Sequence, residues 1–369
     1  MNINSYMPVQ IISGKYCLKE NYKLLADMGR SCLIVTGGNS AKKCGALNDA
    51  IDALEKCRIS YSIFDGITEN PQTADCHKAG CAARETDADF ILGIGGGSPL
   101  DASKAIAIYA ANPKLSPADI YLRKYDNKPL PVVLVGTTSG TGSEVTGVAV
   151  LTDSSVGLKK SISGHDCYSV VSFCDYKYTM TMPYSVTVST ALDAFAHATE
   201  AYFSSTANDI SDVYAEKAFT MLRTGLLHFY NNKSLPDENL REELYNASLF
   251  AGLCLNITGT CFPHTMGYLL TEDFGIAHGR ACAAFIPEFI RISAENMSCK
   301  AQKLFDIMGM DCEALCKLIE TLSDINIKMT PEQMGKYENR WTDPVKNFSR
   351  TPGNFTSDTA VNLLKKLYF

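Results

Sequence analysis

The sequence predicts two domains, an α/β domain with a parallel sheet followed by a nearly all-helical domain. Its 369 residues exceed the roughly 250–300 residues at which a single hydrophobic core usually stops growing. The first half alternates short apolar β-rich runs with helical patterns, whereas the second half has helical periodicity and few β runs. We place the boundary near MTMPYS, which gives domains of residues 1–180 and 181–369.

Four strand-like segments in the first half are separated by helical segments: SCLIVTGG, YSIFDG, DFILGIGGG and PLPVVLVGTT. Strands that alternate with helices of about 10–15 residues predict a parallel sheet wrapped by helices, with ligands bound at the carboxyl ends of the strands. From about residue 180, long segments such as SVTVSTALDAFAHATEAYF and ENLREELYNASLFAGLCLN repeat their apolar residues at helical spacing. This half is therefore expected to be helical.

The composition is typical of a globular enzyme, with 46% hydrophobic and 20% charged residues. A formal net charge of -6 without a basic block predicts no nucleic-acid partner. No apolar run approaches the ~18 residues of a membrane span, and the first segment lacks the pattern of a signal peptide. We therefore expect no membrane partner and a cytoplasmic protein. The fourteen cysteines show no CxxC pair, so we interpret most of them as reduced, buried residues.

A glycine-rich segment, GIGGGSPLDASK, lies where a predicted strand feeds a helix. Gly95, Gly96 and Gly97 have no Cβ atoms, so backbone N–H groups and the following helix N-terminus can approach a diphosphate closely. The segment is neither a GxGxxG fingerprint nor a P-loop. A glycine-rich turn without a ligand therefore stays an alternative.

A second loop, VGTTSGTGSEVT, follows the next strand and should lie beside the first. Its hydroxyl groups at Thr137, Thr138 and Thr141 suit hydrogen bonds to phosphate, ribose or a carboxamide. Two such loops at adjacent strand ends indicate a dinucleotide. On the helix after the first loop, Asp101 and Lys104 either contact this ligand or form an ion pair with each other.

Asp193 and His197 lie four positions apart in ALDAFAHATEAYF, so one helix face carries both. They are either metal ligands or an ordinary surface pair. Two further histidines, His264 and His278, stand beside proline or glycine in loop-like context, where a side chain can be aimed inward. One carboxylate and three imidazoles suit Zn²⁺ or Fe²⁺. The other three histidines we interpret as structural: His77, His165 and His228.

The motifs GGGSPLDASKAIA, TTSGTGSEVT, LDAFAHATEAY and HTMGYLLTEDFGIAHG, in this order, resemble the iron-containing (group III) alcohol dehydrogenases of the dehydroquinate-synthase-like fold. The resemblance covers essentially the whole chain. It implies an N-terminal dinucleotide-binding α/β domain and an all-helical metal-binding domain, with Fe²⁺, or alternatively Zn²⁺, held by Asp193, His197, His264 and His278.

The resemblance also implies the residues that bind the coenzyme. Gly95, Gly96, Gly97 and Ser98 would hold the pyrophosphate, and the other residues of the cofactor cleft would be Thr137, Thr138, Thr141, Asn70 and Lys159. Asp101 stays a candidate cofactor residue from its place on the helix after the first loop. NAD-using members tend to place an aspartate after the first strand, where this chain has Gly38, Asn39 and Ser40 followed by two lysines. Loss of that carboxylate makes room for a 2′-phosphate, so we expect NADP(H) in preference to NAD(H).

Many family members carry a further histidine four residues after the third ligand, but this chain has Tyr268 there. A proton relay through that histidine is therefore in doubt, although the Tyr268 hydroxyl can donate a hydrogen bond. We take Tyr268 and His278 as candidate catalytic residues. Nearby apolar residues either line a substrate pocket or form core: Phe262, Met266, Leu269 and Phe274.

The resemblance implies hydride transfer between NAD(P)H and a small primary alcohol or aldehyde, in a homo-oligomer of two or more copies. One alternative substrate is a short aldehyde that carries a phosphonate or sulfonate, with Arg280 beside the last ligand as its partner. A dehydroquinate-synthase-like lyase is a second alternative. That activity needs a cluster of Lys, Arg and His, and the segments around the ligands are poor in them.

Overall fold

The computed structural model describes residue 3 and residues 5–369, and these form two compact units. The α/β unit comprises Tyr6–Met182 and Asp237–Tyr245, and the helical unit comprises Pro183–Pro236 and Asn246–Phe369. The segment Asp237–Tyr245 was expected in the second domain, because it follows residue 180. In the structure it belongs to the first, because Glu238 accepts a hydrogen bond from Lys177 and Tyr245 donates one to Glu144.

The α/β unit is built on a six-stranded sheet in which every neighbouring pair is parallel. Its spatial order is β1-β8-β5-β4-β2-β3. The remaining two strands, β6 and β7, form an antiparallel hairpin. The strands are β1 (Gln10–Ser13), β2 (Ser31–Thr36), β3 (Ser60–Phe64), β4 (Phe90–Gly95), β5 (Val132–Gly136), β6 (Val148–Asp153), β7 (Leu158–Ser163) and β8 (Val171–Cys174).

The sheet confirms the predicted fold class and the four predicted strands, which are β2 to β5. Strands β1, β6, β7 and β8 were missed. Strand β2 lies between β3 and β4: from β2 the chain goes to the edge strand β3 and then returns past β2 to β4, so the strand order reverses there. In open α/β sheets, ligands bind outside the carboxyl ends of the strands at such a switch point. The segments that follow β2 and β4 are therefore where a dinucleotide is expected.

The central strands β2, β4 and β5 are buried along almost their whole length. Successive side chains of a strand point to opposite sides, so both faces of the sheet are covered there. In β2, Leu33 and Val35 join the apolar cluster that contains Ala79 and Ile106, while Ile34 joins the cluster that contains Leu54. Helices thus cover the sheet on both sides. The helices of this unit are α1 (Cys17–Glu20), α2 (Ser40–Lys43), α3 (Ala46–Lys56), α4 (Thr73–Glu85) and α5 (Gly97–Ala111).

The helical unit is organised around the long helix α6 (Tyr184–Phe203), which is buried along most of its length. Its alanine-rich sequence is a strong helix former, and small side chains let neighbouring helices pack closely. Helices α7, α9, α10, α11 and α13 pack against it. The remaining helices are α7 (Asp209–Asn232), α8 (Glu238–Thr258), α9 (Phe262–Phe274), α10 (His278–Ala283), α11 (Ile286–Asn296), α12 (Ser298–Met308), α13 (Cys312–Ser323), α14 (Pro331–Glu338), α15 (Lys346–Ser349) and α16 (Ser357–Tyr368). The residues of α8 up to Tyr245 belong to the α/β unit.

Membrane-spanning helices were not expected. Within residues 3 and 5–369, no helix combines the length and apolar character that crossing a bilayer requires.

Candidate active site

Two of the predicted ligands come from the interior of α6. Asp193 and His197 are one helical turn apart, and only 3% and 5% of their surfaces are exposed. A surface ion pair would be mostly solvated, so this burial excludes the ordinary surface pair that the sequence left open.

The other two predicted ligands lie on helices rather than in loops. His264 is the third residue of α9, and His278 is the first residue of α10. The loop expectation was wrong for a simple reason: Pro263 occupies the first turn of α9, where its missing N–H has no cost. His264 is 3% exposed, whereas the side chain of His278 is 32% exposed.

The structure brings all three imidazoles to one carboxylate oxygen. The Nε2 atoms of His197, His264 and His278 lie 3.9, 3.6 and 3.9 Å from Oδ1 of Asp193. Ligands of one tetrahedral zinc ion stand about 3.4 Å apart, given metal–ligand distances of about 2.1 Å. The ring of His197 also stacks on that of His264, with centroids 4.5 Å apart. Each of the three imidazoles therefore stands from Asp193 at about the spacing of two ligands of one cation.

Two buried atoms at this point of convergence have no hydrogen-bond partner: Oδ1 of Asp193 and Nε2 of His264. A buried polar atom without a partner costs about 1–3 kcal/mol, so such atoms usually indicate a ligand or ion. One carboxylate oxygen and three imidazole nitrogens are suitable donors for Fe²⁺ or Zn²⁺. The residues present thus fit a divalent metal.

The electrostatics of Asp193 agree with this fit. Burial alone raises the pKa of the Asp193 carboxyl, but the imidazoles of His197, His278 and His264 outweigh it, and the pKa falls below its usual value. The carboxylate is therefore ionised over the physiological range, as a metal ligand must be.

Glu200 is a functional residue that the sequence reasoning missed. Its carboxylate accepts a hydrogen bond from Nδ1 of His264 and another, 2.7 Å long, from the backbone N–H of Cys261. A proton held on Nδ1 leaves the lone pair on Nε2, the nitrogen that faces Asp193. The sequence could have indicated that Glu200 lies near the ligands of α6, because residues 193, 197 and 200 share one helical face.

Cys282 was also missed, since most of the cysteines were interpreted as reduced, buried residues. It lies four residues after His278 on α10, and its Sγ is 3.6 Å from Nδ1 of His278. Donor atoms of Asp193, His264, His278 and Cys282 all lie within 4.8 Å of one another. His197 is not part of this tight group, although its ring nitrogen is near Asp193.

Tyr268 lies one turn after His264 on α9 and is half-buried. Its ring stacks on that of His278, with centroids 5.7 Å apart and planes 15° from parallel. The residue that replaces the expected histidine is thus in contact with a predicted ligand.

The three remaining histidines make separate contacts elsewhere. The ring of His77 packs edge-on against Tyr109, and that of His165 stacks on Tyr6. Nε2 of His228 lies 3.1 Å from the carbonyl of Ser234. These contacts support their interpretation as structural residues.

Two further expectations concern the substrate pocket. Phe262, Met266 and Leu269 are fully buried, and Phe262 stacks on Phe355, so these side chains are core rather than pocket lining. The guanidinium of Arg280 donates hydrogen bonds to the carbonyl of Ser323 and the carboxylate of Asp324. Arg280 therefore holds the end of α13.

In the α/β unit, the two predicted cofactor loops pack directly on each other. The N–H of Thr137 donates to the carbonyl of Gly95, and β4 and β5 end side by side. A Cβ atom on Gly96 would lie 3.0 Å from the side chain of Thr138, and one on Gly97 would lie 2.8 Å from Thr141. Glycine is therefore needed for this close approach of the two loops.

Asn70 and Lys159 join this edge of the sheet through Thr152. The N–H of Asn70 donates to Oγ of Ser98, and Thr152 donates to the carbonyl of Asn70. Thr152 in turn pairs with Lys159 across the β6–β7 hairpin. The structure thus gathers these predicted cofactor residues near the end of β4.

Asp101 and Lys104 support the second loop. Asp101 accepts hydrogen bonds from Oγ of Ser143 and the N–H of Val150, and Nζ of Lys104 is 3.6 Å from its carboxylate. Lys104 is fully buried and also donates to three backbone carbonyls, those of Ser143, Thr146 and Val148. This geometry favours the ion-pair alternative over direct contact between Asp101 and a ligand.

The segment after β2 is polar and exposed. Gly38, Asn39 and Ser40 lie on the surface between β2 and α2, and Asn39 occupies the N-cap position of α2. Lys42 and Lys43 follow on the same short helix and are also exposed. This is the side of the switch point at which the adenosine ribose of a dinucleotide usually lies.

The amino-acid sequence matches two family models that follow each other along the chain. Residues 8–176 match "Iron-containing alcohol dehydrogenase", and residues 187–339 match "Fe-containing alcohol dehydrogenase family, C-terminal".

Individual relatives agree with this match. The chain is 28% identical over 353 residues to the NADPH-dependent butanol dehydrogenase of Clostridium saccharobutylicum, covering 92% of this chain and 88% of the relative. An iron-containing alcohol dehydrogenase of Thermotoga maritima has a TM-score of 0.90 at 33% identity and covers 99% of both chains. Sulfoacetaldehyde reductase of Bifidobacterium kashiwanohense, solved with NAD⁺, has a TM-score of 0.87 at 26% identity and covers 100% of this chain and 99% of its own.

Proposed function

The chain belongs to the iron-containing alcohol dehydrogenase family, and from this premise we propose which residues hold its metal, which coenzyme it prefers and which substrates it takes. The enzyme is an alcohol dehydrogenase and aldehyde reductase that uses iron and a nicotinamide dinucleotide. The proposed metal ligands are Asp193, His197, His264 and His278.

The observation that carries the ligand assignment is the pair of buried atoms without partners, Oδ1 of Asp193 and Nε2 of His264. A divalent cation would satisfy both of them, and Nε2 of His197 and of His278 lie within 4 Å of the same Oδ1 atom. The ion is Fe²⁺ in this proposal, because the family is iron-containing. Zn²⁺ is the alternative that the same donor atoms accept.

When bound, the metal supplies a Lewis acid that stabilises negative charge on the substrate oxygen, and the nicotinamide supplies or accepts the hydride. The protein side chains prepare the site for this chemistry. Asp193 lowers the net positive charge of the centre. Glu200 holds the proton on Nδ1 of His264, so that Nε2 stays a donor. The burial of Asp193 and His264 keeps water away from their donor atoms.

Tyr268 is the proposed hydrogen-bond donor to the substrate oxygen. It occupies the position of the histidine found in many relatives, and its ring stacks on His278 at the partly exposed side of the centre. A phenol keeps its proton at neutral pH, so it can orient the substrate by donating a hydrogen bond but is a poor proton relay.

The proposed coenzyme is NADP(H) in preference to NAD(H). The support is the segment Gly38–Ser40, which is exposed, polar and followed by Lys42 and Lys43. A 2′-phosphate on the adenosine ribose would find cationic groups there instead of a repelling carboxylate. The Gly95–Ser98 turn at the start of α5 is the proposed pyrophosphate site.

The proposed substrates are small uncharged primary alcohols and aldehydes. A short anionic aldehyde needs a cation near the metal, but Arg280 already donates to Ser323 and Asp324. The similarity to a sulfoacetaldehyde reductase keeps sulfonate-bearing aldehydes in the test panel.

The experiment combines metal analysis with turnover. The purified enzyme should contain about one divalent metal per chain and oxidise NADPH with an uncharged short aldehyde faster than with a sulfonate-bearing one. His264→Ala should lose both metal and turnover, while the control His77→Ala, a change on α4 of the α/β unit, should keep both. Native metal content and rate in His264→Ala would refute the ligand assignment.

A further inference from the structure

Beside the proposed ligands lies a sulfur atom that this reaction does not require. Sγ of Cys282 is 3.6 Å from Nδ1 and 3.8 Å from Nε2 of His278. It also belongs to the tight group of donor atoms, within 4.8 Å of one another, formed with Asp193, His264 and His278. In a tetrahedral zinc site a sulfur and a nitrogen ligand stand about 3.6 Å apart, so the 3.8 Å between Sγ of Cys282 and Nε2 of His278 is close to that spacing.

Helical spacing places this thiol at the centre. Cys282 follows His278 by four residues on α10, the same separation as that of Asp193 and His197 on α6. Both helices therefore direct two donor side chains to one place.

Two glycines allow α10 to come this close. A Cβ atom on Gly279 would lie 1.9 Å from the carbonyl oxygen of Ser189 on α6, and one on Gly267 of α9 would lie 2.8 Å from Sγ of Cys282. Larger residues at either position would push α10 away, and Cys282 with it.

We propose that Cys282 is a further donor of this metal centre and that its sulfur shifts the metal preference towards Zn²⁺ relative to Fe²⁺. This inference rests on the proposed function of the site. A cysteine alone would not support it; the independent observation is that Oδ1 of Asp193 and Nε2 of His264 are buried without partners and lie in the same group.

The chemistry of the donor gives the direction of the preference. On binding, the thiol releases its proton to solvent and the resulting thiolate forms a sulfur–metal bond, with no change in oxidation state. A thiolate is a soft ligand that favours zinc, whereas carboxylate and imidazole also suit iron. Without the sulfur, the remaining oxygen and nitrogen donors should discriminate less between the two ions.

X-ray absorption at the zinc edge provides a direct test that does not depend on activity. Zinc-loaded wild-type enzyme should show one sulfur at about 2.3 Å in addition to nitrogen or oxygen donors at about 2.0–2.1 Å. Cys282→Ser and Cys282→Ala should lack the sulfur. Cys254→Ala is the matched control, because Cys254 is equally buried but donates to the carbonyl of Ala251 within α8.

A competition between Zn²⁺ and Fe²⁺ under anaerobic conditions tests the preference. Even residues that only support a ligand change metal affinity by about 10–100-fold, so the ratio of zinc to iron affinity should fall at least about tenfold in both Cys282 variants and stay unchanged in Cys254→Ala.

The results separate this inference from the function on which it rests. Stoichiometric metal without a sulfur neighbour in the wild-type spectrum overturns the role of Cys282 and leaves the dehydrogenase site intact. A wild-type enzyme that binds no metal overturns both. The wild-type spectrum decides the matter even if a Cys282 variant fails to fold.

Discussion

The carboxylate of Glu200 accepts a hydrogen bond from Nδ1 of His264, so that the opposite ring nitrogen faces Asp193. Glu200→Gln should therefore weaken metal binding by about 10–100-fold, because a neutral amide holds the imidazole tautomer less firmly. Chelator competition measures the affinity. Glu295→Gln, an exposed change on α11, is the control. Equal affinities in both variants would show that Glu200 does not position His264.

The coenzyme preference depends on the charge after β2. Asn39→Asp changes an exposed amide to a carboxylate of almost the same shape, and this negative charge would repel a 2′-phosphate and accept the hydroxyls of an unphosphorylated ribose. We expect kcat/KM for NADPH to fall at least about tenfold, as a charge-assisted contact of roughly 1.5–3 kcal/mol predicts, and that for NADH to hold or rise. Equal effects on the two coenzymes would argue against a 2′-phosphate site at Asn39.

Tyr268→Phe removes one hydroxyl group and keeps the ring that stacks on His278. The expected result is a decrease in kcat of about tenfold, the value of one hydrogen bond to substrate, with unchanged metal content. Steady-state kinetics and metal analysis measure the two quantities. Tyr230→Phe, at an exposed tyrosine of α7, is the control. A wild-type kcat in Tyr268→Phe would remove the tyrosine from the proposed mechanism.

Lys104 is the buried cation that joins α5 to the second cofactor loop. Lys104→Met leaves three carbonyl groups without their donor and Asp101 without its cationic partner, so we expect a loss of about 3–5 kcal/mol in the free energy of unfolding. Adding Asp101→Asn to this variant should cost less than it does alone. Urea unfolding of the two single variants and the double variant measures this coupling, and strictly additive losses would contradict the ion pair.

The β6–β7 hairpin contains a pH-dependent contact. The ammonium of Lys160 and the hydroxyl of Ser155 bind the Asp153 carboxylate and lower its pKa to about 2, against about 3.9 in an unfolded chain. A depressed pKa stabilises the folded protein above the unfolded value, so this contribution is present above about pH 5 and disappears as the pH falls towards 2. Asp153→Asn should therefore lower the melting temperature at pH 7, with a difference that shrinks below pH 4.

Several features of the fold followed from the sequence because they depend on local patterns. Strand β4, which leads into the Gly95–Ser98 turn, was predicted from one apolar run. Asp193 and His197 were paired from helical spacing alone. Strand β1 was missed, because its four residues, QIIS, are too short to show a periodicity. The face of α6 that carries Glu200 could be read from the sequence, but its contact with His264 and the position of Cys282 depend on which helices pack together, and that is a tertiary property.

The resemblance to a family supplied what spacing could not. It grouped His264 and His278, fourteen positions apart, with the pair on α6. In the structure the three imidazoles lie within 4 Å of Oδ1 of Asp193. The expected homo-oligomer and the preference for NADP(H) stay predictions. The first depends on contacts with a second copy of the chain, and the second depends on contacts with a bound coenzyme.

The α/β unit is encoded by two separate stretches of the gene, because Asp237–Tyr245 belongs to it, and this restricts recombination between related genes. A recombination near Met182 would transfer Tyr6–Met182 but not Asp237–Tyr245. The recipient would then carry the fully buried Glu144 without the phenol of Tyr245 that donates to it, unless its own chain supplied an equivalent. Viable hybrids should therefore inherit both stretches from the same parent.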